Sequence, residues 1–285
     1  VQREKCAFIG AAAALCVALA PLVVAAPALA DRTWSPPPPV DAGADYQLGG
    51  DAPLPPGATV VVRDWFSGRA APDPTYSICY VNAFQTQPDE AGVRRPDETS
   101  QWPAHLVLTD LGDDPNWPGE FIVDISSARR RSDAAHHVEQ MVDRCAARGF
   151  EAVEFDNLDS WTRFDGTARE DDVPFGRRDA VAYAAILTGH AHSVGLAVAQ
   201  KNTPQLPART SRRVIGFDFV IAEECGRYRE CDAYRTAFGR RIIDIEYTDG
   251  GFARACRAMG DRVTVIRRDV GLRTPDSDRY RYEAC

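Results

Sequence analysis

The sequence predicts a (β/α)8 barrel with one extra strand and an irregular early crossover. Three observations predict it. Short apolar, β-branched runs recur after residue 45, and most are continuous rather than alternating, as in strands buried on both faces. Helical patterns lie between several of these runs. The stretch 46–285 is close to the roughly 250 residues that such a barrel occupies. An open doubly wound sheet is the alternative architecture. No GxGxxG follows any strand, so neither that sheet's dinucleotide site nor any other cofactor finds support.

The elements follow in order. Tyr46-Gln47-Leu48 is the extra strand. The main runs are TVVVRD (59–64), SICYVN (77–82), EFIVDI (120–125), EAVEFDN (151–157), LAVAQKN (196–202), DFVIAEE (218–224), RIIDIEY (241–247) and RVTVIRRD (262–269). In 132–148, Ala134, Val138, Met141, Val142 and Cys145 recur at helical spacing. In 178–194, Val181, Ala184, Ala185, Thr188 and Ala191 do the same. Gly149 and Gly195 follow these patterns where a helix C-cap would sit. Shorter helices are expected at 228–238 and 252–259. Between Asp64 and Ser77 two prolines replace the usual crossover helix with a loop, and 83–119 is a long, proline-rich, acidic excursion.

The first thirty residues fall outside this pattern. Arg3 and Lys5 precede an uncharged run from Cys6 to Ala30, which ends in Ala28-Leu29-Ala30. That is the form of a secretory signal peptide, and Pro21 and Pro27 argue against a retained membrane anchor. Residues 31–45 read as a proline-rich linker unable to supply a helix or a central strand. The catalytic domain would then be 46–285. Removal of the signal leaves six cysteines, an even number that suits disulfides in an exported protein. Cys225 and Cys231 could close a short loop, Cys256 could hold Cys285, and Cys79 and Cys145 would remain. No CxxC supports a zinc site.

Charge and motifs exclude several classes. The formal net charge is −8, and about −9 once the signal is removed, which argues against a nucleic-acid partner. No Walker loop and no GxSxG is present. His190 and His192 sit on one helix at i and i+2, where they face different sides, and His136-His137 has the same defect. No metal is therefore expected.

The runs share a sharper feature: they end in polar residues. These are Asp64, Asn82, Asp124, Asp156-Asn157, Lys201-Asn202, Glu223-Glu224, Glu246-Tyr247 and Asp269. Barrel enzymes draw catalytic residues from the C-terminal ends of several strands. Alternation puts Glu154 and Asp156 on one face, Glu223 with Phe219 and Ile221, and Glu246 with Asp244. Several inward carboxylates at one mouth are what glycoside hydrolysis needs. For Asp64, Asp124 and Asp269, a loop cap or an ion pair to one of the many arginines explains the residue equally well. Among 33 basic residues only Lys5 and Lys201 are lysines. A lysine closing a strand where arginine serves elsewhere suggests a compact point charge in the site. Trp102, Trp117 and Trp161 lie in loops where rings could stack on sugars.

VEFDNLDSW, VAQKNTPQL, FDFVIAEECGRYREC and IIDIEY resemble, in order, the motifs of glycoside-hydrolase family 114, the endo-α-1,4-polygalactosaminidases. YQLGG, ICYVN and PGEFIVDI add to the likeness, which runs from about Tyr46 to Cys285. Ala152 stands where the family usually has glycine. The resemblance implies a (β/α)8 barrel that hydrolyses α-1,4-linked galactosamine polymers with retention. It makes Asp156 the nucleophile and Glu223 the acid/base. Asp64, Tyr80, Asp124, Asn157, Lys201, Asn202, Glu246 and Tyr247 would line the sugar site. The expected partner is a cationic amino-sugar polysaccharide met outside the cell, with no stable membrane association after signal cleavage. Two other readings compete. One is a carbohydrate-binding barrel without turnover, against which the intact carboxylates argue. The other is a metal-dependent amidase or deacetylase, against which the histidine placement argues.

Overall fold

Among the described residues, nine strands follow one another around a single sheet in chain order, and neighbours in sequence are neighbours in space. The computed structural model describes residues 34–66, 68–87 and 102–285. The expected signal peptide and residues 31–33 lie outside the described residues. The strands are β1 (Gly43–Gln47), β2 (Ala58–Asp64), β3 (Tyr76–Asn82), β4 (Ala152–Asp156), β5 (Ala197–Lys201), β6 (Phe219–Glu223), β7 (Ile242–Glu246), β8 (Thr264–Arg268) and β9 (Tyr282–Ala284). The first eight pair in parallel, and β9 runs antiparallel to β8. This is the expected barrel, but three members differ from the sequence reading: the strand beyond the eight is the antiparallel β9 and not the Tyr46 run, and two more changes go with it.

The run EFIVDI is not a barrel strand. Ile122 and Val123 make single bridges to Gln85 and Val107, and β3 pairs directly with β4. The run is spent on folding the 83–119 excursion back on itself. Its place is taken by β1, which begins at Gly43, inside the stretch read as linker. The prolines end at Pro39, and Ala44 and Tyr46 turn into the barrel interior beyond them. Apolar burial there outweighs the poor strand composition of the preceding residues.

The interior and exterior of the barrel follow the two faces of each strand. Val60, Val62, Ile78, Tyr80, Ala152, Ala197, Ala199, Phe219, Ile221, Ile243, Ile245 and Ile266 pack inside. Cys79, Val81, Val153, Phe155, Val198, Val220, Ala222 and Val265 face outward onto the helices. Those helices are α1 (Ala128–Ala147), α2 (Arg177–Ser193), α3 (Cys225–Tyr228), α4 (Cys231–Phe238) and α5 (Asp249–Met259). Ser127 caps α1 by accepting a hydrogen bond from Arg130 N, and Thr248 caps α5 through Gly251 N. Gly149 and Gly195 follow α1 and α2 with φ of 83° and 90°, the left-handed turn the sequence foresaw. Among the described residues no helix joins β1 to β2 or β2 to β3, which leaves the early loop that the sequence predicts.

The seam between β8 and β1 is closed by a buried arginine and by the tail. Arg268 donates to the Asp45 carboxylate and the Tyr46 carbonyl, and also to the carbonyls of Arg273 at 2.8 Å and Arg281 at 2.9 Å. Tyr282 on β9 donates to Ala44 O at 3.1 Å. All three expected disulfides are present: Cys79–Cys145, Cys225–Cys231 and Cys256–Cys285. The last one anchors β9 to α5.

Candidate active site

The C-terminal ends of the strands surround a cavity of about 380 Å³. Asp64, Tyr80, Asp156, Asn157, Lys201, Asn202, Glu223 and Tyr247, all singled out from the sequence, line it. All but Asn157 and Asn202 arrive there by strand parity. Glu154 and Asp156 continue the inward face begun by Ala152, Lys201 that of Ala197 and Ala199, and Glu223 that of Phe219 and Ile221. The chain then turns sharply: Asn157, Asn202 and Glu224 adopt φ of 61°, 45° and 57° directly after β4, β5 and β6. Asparagine tolerates this region, whereas glutamate does so at a cost.

Lys201 organises the floor. It is 1% exposed, and its Nζ lies 3.3 Å from Asp156 Oδ2, 3.3 Å from Glu223 Oε2 and 2.8 Å from Tyr46 Oη. Burial alone would lower its pKa, but Asp156, Glu223 and Glu154 outweigh burial and raise it. The ammonium is therefore permanently charged. Asp156 shows the converse balance. Burial opposes its charge, yet Lys201, the Asn157 N–H at 2.7 Å and the Tyr80 hydroxyl at 2.9 Å together hold it below the usual carboxylate range.

Glu223 is fixed differently. Its Oε2 accepts from Asn202 Nδ2 at 2.9 Å, and its own N–H donates to Asn202 Oδ1 at 2.7 Å. Tyr247 donates its hydroxyl to Oε1. One side chain directly after β5 thus sets both backbone and carboxylate at the end of β6.

Glu154, a rival for the catalytic role, lies below this layer. It is fully buried, does not line the cavity, and accepts the Tyr46 hydroxyl at 2.7 Å. Burial, then the charge of Asp156, push its pKa up to about 8 against the pull of Lys201.

The matching family is decisive here. The sequence profile of glycoside-hydrolase family GH114 matches residues 24–285. The chain belongs to glycoside-hydrolase family GH114. Among solved structures, this GH114 hydrolase is similar to Aspergillus fumigatus Ega3 in complex with galactosamine. The TM-score is 0.67 at 20% identity, covering 88% of this chain and 97% of that one. It is also similar to the glycoside hydrolase domain of an alanine variant of PelA from Pseudomonas aeruginosa. There the TM-score is 0.52 at 15% identity, covering 81% and 96%. These likenesses establish the shared barrel. No curated protein matches the chain.

Two residues that the sequence assigned to the sugar site of this GH114 hydrolase are elsewhere. Asp124 does not line the cavity. With no strand at 120–125, it is buried against α1, where its carboxylate pairs with Arg130 at 3.0 Å and accepts from Ser126 N at 2.9 Å. Glu246 is on the outward face of β7, because Ile243 and Ile245 take the inward one. It packs where Gly226 and Gly251 leave room: a Cβ on Gly251 would come within 2.0 Å of Glu246 Oε2. Of the three tryptophans, Trp117 lines the cavity, half exposed. Trp102 is buried against His137, and Trp161 packs on the outer core.

Among the lining residues that the sequence reading missed are Tyr46, Gln87, Glu120 and Arg163. Tyr46 was legible from its parity with Ala44 once β1 is a barrel strand. Glu120 was hidden because EFIVDI reads as a strand. It accepts from Asn82 Nδ2 at 2.9 Å, and burial, then the Asp156 charge, push its pKa up to about 8 despite Asn82 and Arg163. Arg163 ties the wall together through Asn157 Oδ1 at 2.8 Å, Asp114 at 3.0 Å and Asp159 at 3.3 Å.

The histidines serve structure. His190 pairs with Asp143 at 2.8 Å and His192 with Asp218 at 2.8 Å, on different sides of α2. A candidate donor group of Cys225, Cys231 and Asp244 has its two sulfurs joined to each other. No described helix is long and apolar enough to cross a membrane.

Proposed function

We propose that this glycoside hydrolase is an endo-acting enzyme on α-1,4-linked, galactosamine-containing polysaccharide, with Asp156 as nucleophile and Glu223 as acid/base. The observation that carries the role assignment is the set of Lys201, the Asn157 N–H and the Tyr80 hydroxyl around Asp156, which holds its carboxyl below the usual carboxylate range. It keeps Asp156 ionised, as a nucleophile must be. The Asp156 carboxylate attacks the anomeric carbon while Glu223 gives its proton to the departing glycosidic oxygen. Water then gives a proton to Glu223 and its oxygen to the anomeric carbon, releasing Asp156.

Retention is supported by distance. One nitrogen is 3.3 Å from an oxygen of each carboxyl, so those oxygens lie at most twice that apart. Retaining pairs are about 5–5.5 Å apart and inverting pairs about 6.5–9.5 Å. The bound leaves almost none of the inverting range. The galactosamine substrate is supported by the family and by Ega3, which was solved with galactosamine. Action outside the cell is supported by the three disulfides and by the signal-like run in the sequence.

The test is incubation of partially deacetylated α-1,4-galactosaminogalactan with wild type, Asp156→Asn and Glu223→Gln, with and without chelator. Soluble amino-sugar oligomers from wild type alone, insensitive to chelator, are expected. The first anomeric proton seen by NMR should have the α configuration. Initial β product would overturn retention, and activity in Asp156→Asn would overturn the assignment. Absence of products from any substrate would favour the binding barrel. Loss of activity on chelation would favour the metal-dependent hydrolase.

A further inference from the structure

The cleft continues past the catalytic pair. A second cavity of about 690 Å³ shares Trp117, Asp159, Asn202, Glu223 and Tyr247 with the first. The wall between them is chemically asymmetric. Asp156 and Lys201 line only the first, Glu223 lines both, and Glu224, Tyr228 and Glu230 line only the second. In a double displacement the nucleophile stands at the anomeric carbon, and the acid stands at the oxygen of the departing sugar. The second cavity is therefore on the side of the departing chain.

Its outer wall is one stapled loop. The Cys225–Cys231 disulfide, six residues apart in sequence, begins two residues after Glu223 and encloses Arg227, Tyr228 and Glu230. Tyr228 is 57% exposed and faces a cavity that also holds the half-exposed Trp117. Exposed rings in a cleft offer an apolar face to a pyranose and a polar edge to water. The charges differ in their freedom. Arg227 is held by both oxygens of Glu224, at 2.8 and 2.9 Å. Asp159 shares Arg163 at 3.3 Å. The Glu230 carboxylate has neither hydrogen bond nor ion pair among the described residues, though it is half-buried.

We propose that the second cavity binds the leaving part of the polymer. It takes an amino-sugar pyranose in the ammonium form, stacked by Tyr228, and Glu230 selects that form over the acetamido form. The proposal rests on the functional reading above. It orients the polymer: the non-reducing part lies over Asp156 and the reducing end runs past Glu223 toward the disulfide loop.

The test compares α-1,4-galactosamine oligomers with their N-acetylated counterparts, reducing-end labelled, using wild type, Glu230→Gln and Tyr228→Ala. Folding is checked by circular dichroism. Glu230→Gln should reduce the kcat/KM preference for the amino form about fivefold. Tyr228→Ala should raise KM for both forms and shorten the labelled fragment, because fewer contacts then hold the reducing side. An unchanged preference in Glu230→Gln overturns the selectivity. An unchanged labelled fragment in Tyr228→Ala overturns the orientation. A wild type that cleaves neither oligomer overturns the functional reading itself, and this proposal with it.

Discussion

The Lys201 ammonium lies 3.3 Å from the Asp156 carboxylate in a position almost closed to water. A charge so placed is worth far more than the same pair at the surface. Replacing it with methionine removes the largest influence lowering the Asp156 pKa and leaves several carboxyls crowded without a cation. Lys201→Met should lower kcat by about a hundredfold or more, the scale of losing one aligned charge or donor. The acid limb of the kcat/KM pH profile should also move to higher pH, because Asp156 must now lose its proton unaided. A parallel drop at all pH values, with no movement of that limb, would show that Lys201 only packs.

How far the sequence led depends on what parity can decide. Asp156, Lys201 and Glu223 were legible because each extends a strand whose inward face is apolar, so the next inward position at the mouth is fixed. Parity also grouped Glu246 with Asp244, but it could not say which face of IIDIE points inward, since both could be buried. The answer depends on Gly226 in α3 and Gly251 in α5 leaving a space for Glu246 between two helices. Asp124 failed for another reason: EFIVDI has strand composition but, among the described residues, it bridges only to Gln85 and Val107. Tertiary pairing decides that, and local propensity does not. Number and an exported context made disulfides legible, but six cysteines allow fifteen pairings, and only the short Cys225–Cys231 spacing favoured one; the three pairs named from the sequence are the ones formed.

Two carboxyls with raised pKa make stability depend on pH in an unusual direction. Glu154 moves from 4.5 to about 8, chiefly through burial, and Glu120 does likewise. A group whose folded pKa is raised stabilises fully below its unfolded value and loses that contribution as pH rises through the folded one. Asp156 is depressed, so its contribution is present above 3.8 and is lost only in stronger acid. The melting temperature should therefore fall as pH rises from 4.5 to about 8. Glu154→Gln should flatten part of that slope and leave the part owed to Glu120. Thermal melts at several pH values decide it, and an equal slope in the variant would refute the role of Glu154.

The Cys79–Cys145 bond joins β3 to α1 across 66 residues, with both cysteines fully buried. It closes the long excursion that carries Trp117 and Glu120. A paired Cys79→Ala, Cys145→Ala variant should lose about 2–5 kcal/mol in urea unfolding. The matching variant at Cys256 and Cys285 should lose less. Its loop of 29 residues is shorter, and Cys285 is exposed. The reverse ranking would mean that β9 and its anchor, rather than the link from β3 to α1, limit unfolding.

The net charge of −8 has a kinetic consequence if the substrate is a chain of protonated amino sugars. The first cavity is bordered by Asp64, Asp156, Asp159 and Glu223, with Glu120 adding its charge only above about pH 8, against Arg163 and Lys201. A cleft with one predominant sign concentrates counter-ions and raises the encounter rate, and salt screens that attraction over about 10 Å at 0.1 M. For the deacetylated polymer kcat/KM should fall several-fold as ionic strength rises from about 0.01 to 0.3 M. For a fully N-acetylated polymer, which carries no charge, it should stay nearly flat. The buried Lys201–Asp156 contact is shielded from that salt, so kcat at saturating substrate should change little for either polymer. An equal salt response for both polymers would place the effect in the enzyme itself. Acidity would then serve solubility and not capture.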